Sequence, residues 1–99
     1  MEVRWTRARV QHITTRAERY PDASNIEMRW ASEAAADPRA RVDDPDPKSI
    51  TAAVRIVGYS PTAGFVITVI AAHIDGDLWG VTAWKTTGSE RRLYLEEPR

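Results

Sequence analysis

An α+β fold, with two helices before an antiparallel sheet of three to four strands in a meander and one helix closing the chain, follows from three observations. The apolar segments VRIVGYS, GFVITVIAAHI and LWGVTAWK follow one another directly. Short turn sequences join them, which excludes a parallel doubly wound sheet, because parallel neighbours need a long crossover. Apolar residues at helical spacing stand before and after the three segments, so helices are expected to pack on one sheet face.

The chain has 99 residues, 42% of them hydrophobic and 28% charged. That length without a repeat or long linker fits one domain, residues 1–99, with a small core. There is no Cys, which removes disulfides, thiolate metal sites and cysteine nucleophiles. The opening MEVRWTRARV lacks an apolar signal region, and no segment approaches the roughly 18 continuous apolar residues of a membrane span. A cytoplasmic protein without membrane contact is the expectation.

Glu2 to Trp5 reads as a short edge strand. Val10, Ile13, Ala17 and Tyr20 then form one apolar helical stripe, ended by Pro21. Ser24 and Glu27 have the spacing of a capping box, in which each side chain satisfies a free amide at a helix start. Ile26, Trp30 and Ala34 align on the buried side of that second helix, and Asp37-Pro38 stops it. The run RVDDPDPKS, Arg41 to Ser49, reads as an exposed turn that opens with a brief strand. Ala53 to Ser60 is a strand, SPTAG a hairpin connection, Phe65 to Ile74 the central strand, and Asp75-Gly76-Asp77 the next turn. Leu78 to Lys85 forms the following strand, with Gly80 as a bulge or close-packing point. Thr87 and Glu90 repeat the capping spacing, placing the last helix from near Gly88 to Glu97.

Net charge is zero, but the charges are segregated. Residues 1–19 hold five Arg against two Glu, residues 20–47 three Arg against seven acids, and 12 of the 14 basic residues are Arg. Guanidinium forks suit bidentate phosphate contacts, although high-GC coding produces the same preference. None of the patterns GxxxxGK[ST], GxGxxG, HExxH or GxSxG occurs, so the usual nucleotide, zinc-protease and hydrolase signatures are missing.

Four pieces carry a resemblance to a known family. Trp5 stands as an early aromatic before the first helix. NIEMRWASEAAADPRARVDDPDP gives a second helix with an Ala-Asp-Pro ending and an acidic loop. RIVGYSPTAGFVITVI gives strand, turn and strand, and TAWKTTGSERRLYLEE a closing strand and a Glu-Arg-x-x-Tyr helix. In this order they resemble the BrnT toxins, part of the RelE-like ribonuclease group of bacterial type II toxin-antitoxin systems. The resemblance implies a ribosome-independent endoribonuclease that needs no metal or other cofactor. It also implies an RNA substrate and a cognate ribbon-helix-helix antitoxin, through which alone the complex binds promoter DNA. Two departures stand out: Trp84 replaces the Arg of the family's Ser-Ala-Arg segment, and RAERYPDAS replaces the Lys-His-Gly after the first helix. The alternative is a toxin-like module that has lost cleavage and binds only an antitoxin or another protein.

Cleavage by the neighbouring 2′-OH requires a base, a cation for the phosphorane and an acid for the leaving oxygen. The catalytic candidates are Arg91, Lys85, His12 and Tyr94. Arg91 clamps phosphate or merely covers apolar surface with its stem. Lys85, at the strand end, stabilises the transition state or guards an edge. Tyr94 donates a proton, stacks a base, or is core with its hydroxyl at the rim. His12 and His73 have unperturbed pKa values near neutrality. His12, amid Arg7, Arg9 and Arg16, is a neutral base or plain helix surface, and His73, approaching Asp75, is a base or a hairpin anchor. The RNA-binding candidates are Arg55, Arg7, Arg9 and Trp84. Arg55 opposes Val54 and Ile56 and faces RNA only if that side is the concave one. Strand alternation sends Trp79 and Trp84 to opposite sheet faces, leaving one of them to stack bases or meet an antitoxin.

Overall fold

The longest apolar segment, Phe65 to Ile74, is β3 and lies inside the sheet, because its side chains find cover on both faces. In the computed structural model, which describes residues 1–96, it pairs antiparallel with β2 (Val54–Ser60) on one side and β4 (Asp77–Lys85) on the other. The short β1 (Arg41–Asp43) extends the sheet beyond β2, giving the order β1-β2-β3-β4. Three helices complete the α+β layout: α1 (Arg7–Thr14), α2 (Met28–Ala36) and α3 (Gly88–Glu96). The expected Glu97 end of α3 lies outside the described residues.

The turns form where the sequence places them. Gly64 and Gly76 supply positive φ at the two hairpins, a geometry glycine adopts without steric cost. The β2–β3 hairpin closes through a bond from the Gly64 amide to the Ser60 carbonyl, 2.8 Å.

One sheet face carries the main core. Ile13 of α1, Ile26, and Ala31, Ala34 and Ala35 of α2 pack on Val54, Ile56, Ile67, Val69, Ala71 and Ala83. Small residues let α2 approach closely: a Cβ on Gly58 would stand 1.9 Å from the Ala34 carbonyl oxygen. Burial of these side chains supplies the main stabilising term.

Several expectations are corrected. The helices do not share one face: α3 crosses the opposite one, where Tyr94 packs on Val57 and Val66. Its carboxylate anchor is Glu90, which accepts hydrogen bonds from Thr68 and Arg55 on that face. The stripe to Tyr20 is not one helix. The Thr14 hydroxyl donates to the Val10 carbonyl and the Thr15 hydroxyl to that of Gln11. Such back-bonding competes with helix propagation, and a 3₁₀ turn at Arg16–Glu18 follows. The Ser24–Glu27 capping box does not form, since α2 begins at Met28 with Glu27 as an uncapped N-cap. Glu2 to Trp5 contributes a single parallel bridge, Arg4 to Trp79, in place of a strand.

The most consequential correction concerns β4. Ile70 pairs with Thr82 and Ala71 with Gly80, so Val81 is an extra residue, a bulge. Such an insertion resets the alternation of side chains. Trp79 therefore opposes Ala72, Trp84 opposes Thr68, and both indoles project from the α3 face. Gly80 is a close-packing point as expected, with the Trp5 ring 2.4 Å from the position its Cβ would occupy.

Candidate functional site

α1 is capped by Thr6, whose hydroxyl accepts from the Arg9 amide, and its early stop leaves Arg9, His12, Arg16 and Arg19 grouped beside β4. The bulge helps to hold them. The Arg9 guanidinium donates to the Val81 carbonyl, 3.3 Å, and Arg16 to the Thr82 hydroxyl, 3.2 Å. Arg19 spans back to the His12 carbonyl and the Thr15 hydroxyl. Among the described residues none of Arg7, Arg9, Arg16 and Arg19 forms an ion pair with a carboxylate.

That arrangement acts on His12, which is half-buried beside these cations. Loss of solvent, followed by the charges of Arg19, Arg16 and Arg9, lowers its pKa from the ordinary value. Each of these disfavours imidazolium. These surroundings favour the neutral ring, the form that can accept a proton.

Arg16 was legible only as a neighbour of His12. Its guanidinium lies between two aromatic rings, 5.1 Å from the Tyr20 centroid and 5.8 Å from that of Trp84. Arg55 stands 5.6 Å from the same Trp84 centroid. The result is an alternating ladder, Tyr20, Arg16, Trp84, Arg55, in which the rings' negative faces attract the cations. The Trp84 indole thus gathers two guanidiniums from other elements.

The two cations of the ladder differ. Arg55 sits in an acidic clamp, with Nε 3.1 Å from Asp46 and Nη1 2.8 Å from Glu90. Asp46 is 4% exposed, so the acidic run is not wholly an exposed turn. Despite burial, which raises its pKa, Asp46 is held below the ordinary carboxylate value by Arg55 and the Lys48 amide. Glu90 also accepts from Thr68, 2.6 Å, and Thr68 is bonded to Thr86, 2.8 Å. Glu90 thus faces the sheet instead of capping α3 with Thr87. Arg55 is a structural cation in this setting and not the open RNA-facing charge considered from sequence.

The remaining candidates are dispersed. Tyr94 is core: it is 8% exposed, and its hydroxyl donates to Asp37. Arg91 is exposed on α3, with no side-chain partner among the described residues. Lys85 is exposed at the end of β4 with Nζ 4.9 Å from the Phe65 centroid. Arg7 is exposed on α1. His73 pairs with Asp44, 3.0 Å, in place of the expected Asp75.

Between the α1–α2 connection and the end of β4 runs a groove of about 470 Å³. Arg16, Asp22, Ser24, Trp84, Lys85 and Thr87 line it. The structure thus groups His12 with Arg9, Arg16 and Arg19 beside β4, sets Arg16 with Trp84 and Lys85 in the groove at the end of that strand, and leaves Arg91 and Tyr94 on α3. Among the described residues no group of three His, Asp or Glu side chains is placed to hold a metal ion, and no helix is long and apolar enough to cross a membrane. No protein-family model, no curated protein and no solved structure matches the chain.

Proposed function

We propose that the chain is the toxin of a type II toxin-antitoxin pair, a cytoplasmic endoribonuclease that cleaves RNA without a metal and is neutralised by a ribbon-helix-helix antitoxin. The observation that carries this reading is a half-buried His12 beside the guanidiniums of Arg9, Arg16 and Arg19, which lower its pKa and which form no ion pair with a carboxylate among the described residues. Such a site attracts phosphate and offers a base in one place. His12 takes the proton of a ribose 2′-OH, whose oxygen attacks the adjacent phosphorus. Arg9 and Arg16 oppose the charge that develops on the phosphorane. The 5′-oxygen leaves with a proton from solvent or a neighbouring acid, giving a 2′,3′-cyclic phosphate.

The test is induced expression of the wild type beside His12→Ala and Arg16→Ala, with total RNA followed over time. Growth arrest with RNA decay is expected for the wild type only. A harmless wild type with intact RNA would falsify the ribonuclease reading.

A second reading, a toxin-like module that binds an antitoxin without cleaving RNA, is favoured by one observation. Arg91 and Tyr94, matched to the family's closing helix, lie away from His12, and Tyr94 is bonded to Asp37. A wild type that leaves RNA intact but co-purifies with the product of the adjacent reading frame would select it.

A further inference from the structure

The groove at the end of β4 has a composition that the cleavage step does not use. Trp84 and Lys85 leave the strand on opposite sides, and the α1–α2 connection brings Asp22 and Ser24 over them. Arg16 and Lys85 have no carboxylate within ion-pair distance among the described residues, and Asp22, in the same groove, pairs with neither. Two uncompensated cations with the hydroxyls of Ser24 and Thr87 suit a phosphate, which offers several acceptor oxygens. Lys85 contributes a compact point charge on an exposed side chain whose Nζ stands over the Phe65 ring, and Arg16 is held by the two rings beside it.

A bare phosphate does not account for the whole groove. Its volume of about 470 Å³ lies within the range of roughly 300–1,000 Å³ typical of organic-ligand sites. The acid within it is also wrong for an anion alone, because Asp22 repels phosphate and accepts only from a donor. A nucleotide supplies both halves, an anionic phosphate and a base edge with an amine. Trp84 is not a stacking platform here, since guanidiniums already flank its ring.

We propose that this groove is a subsite for one nucleotide of single-stranded RNA. Arg16 and Lys85 hold the phosphate, and Asp22 accepts a hydrogen bond from the exocyclic amine of the base. The proposal rests on the ribonuclease reading, because it treats the groove as the continuation of the substrate track past His12. Cytosine, with a 4-amino donor, is then preferred over uracil, which presents a carbonyl oxygen at that position and repels a carboxylate. Pairing of Asp with the cytosine amine is an established mode of base readout.

The test is isothermal titration of the purified full chain with cytidine 3′-monophosphate, uridine 3′-monophosphate and inorganic phosphate. Cytidine monophosphate is expected to bind about tenfold more tightly than the uridine compound, and phosphate to compete with it. Asp22→Asn brings the two nucleotides within about twofold of each other, and Arg16→Gln weakens both about tenfold. Arg39→Gln, a cation outside the groove, changes neither. Should Arg16→Gln lose structure, Lys85→Gln carries the test, since that side chain is exposed. Nucleotide binding unaltered by Lys85→Gln, or a cytidine preference that survives Asp22→Asn, overturns the subsite. Binding of the expected kind by a chain that leaves RNA intact in cells retains the subsite and removes only the ribonuclease reading. A chain that degrades RNA but shows no binding of either nucleotide removes the subsite alone.

Discussion

Arg55 Nη1 stands 2.8 Å from Glu90 Oε2 and ties the middle of the sheet to the first turn of α3. Because Asp46 holds the same guanidinium from the acidic loop, one partly buried cation connects three parts of the chain that are distant in sequence. The arginine's net contribution to stability is modest, since burying it costs hydration, but its removal leaves two carboxylates without their partner.

Arg55→Ala is expected to destabilise the fold by about 3 kcal/mol, since truncating one partner strands the buried Asp46. Glu90→Gln keeps the size of the side chain and is expected to cost about 1 kcal/mol. Urea denaturation followed by tryptophan fluorescence measures both. Equal midpoints for Arg55→Ala and wild type would show that the clamp does not hold α3.

Acid should weaken the fold in a specific window. Asp46 and Asp37 have folded-state pKa values below the ordinary carboxylate range. Burial opposes this in both, and for Asp37 it is outweighed by bonds from the Tyr94 hydroxyl and the Tyr59 and Arg39 amides. A depressed carboxyl pKa contributes stability above the unfolded value, about 3.9, that is lost as pH falls through the folded one. Stability is thus expected to fall steeply below about pH 4, and Asp46→Asn to flatten that fall while lowering the plateau. Chemical denaturation at a series of pH values reads out both changes.

Under the proposed cleavage by His12, activity should respond to pH with a different limb. Desolvation and three arginines lower its pKa, so the base stays deprotonated at pH values where a free imidazole begins to protonate. The acid limb of RNA cleavage is expected to lie below about pH 6.5, the unperturbed value. Arg19→Gln removes the largest of the charge effects and should move that limb upward. An unmoved limb would assign the base to another group.

Gly58→Ala tests the approach of α2 to the sheet. The added methyl would lie 1.9 Å from the Ala34 carbonyl oxygen, a backbone atom that yields only if the helix shifts. A loss of about 2 kcal/mol is expected, within the range for overpacking. Thermal melting of Gly58→Ala beside Gly64→Ala separates crowding from strain, because the Gly64 site is open but has positive φ.

An arginine at position 84 should not improve the protein. Trp84→Arg places a third guanidinium beside Arg16 and Arg55 and removes the ring that attracts them, a loss of about 1–2 kcal/mol. Trp84→Phe retains part of the attraction and should cost less. A Trp84→Arg variant more stable than wild type would overturn the ladder as a binding arrangement.

The fold was legible wherever one local signal had no competitor. Phe65 to Ile74 is nearly all apolar and bounded by turn residues, which reads as the central strand, and the glycines of SPTAG and DGD meet a requirement for positive φ. Capping was misread for two reasons: the segment before α2 is held extended by the Ile26 amide on the Ile13 carbonyl, so the helix starts only at Met28, and the spacing of Thr87 and Glu90 does not reveal stronger partners elsewhere. Glu90 meets a hydroxyl and a guanidinium on the sheet, and no pattern within the helix announces them. Of the site, the cationic first helix and the neutral His12 could be read from neighbouring charges. Arg16 could not, since its position depends on Thr14 and Thr15 ending α1 and on Trp84 reaching the same side of the sheet as Arg55.

Val81 makes β4 one residue longer than its pairing with β3 requires. A deletion there would restore unbroken alternation and leave Trp79 and Trp84 on the side they already share, while withdrawing the acceptor that Arg9 uses. The length of this strand and the attachment of α1 can therefore change separately from the sheet's identity. A single-codon deletion offers a way to loosen the cationic rim without altering any side chain within it.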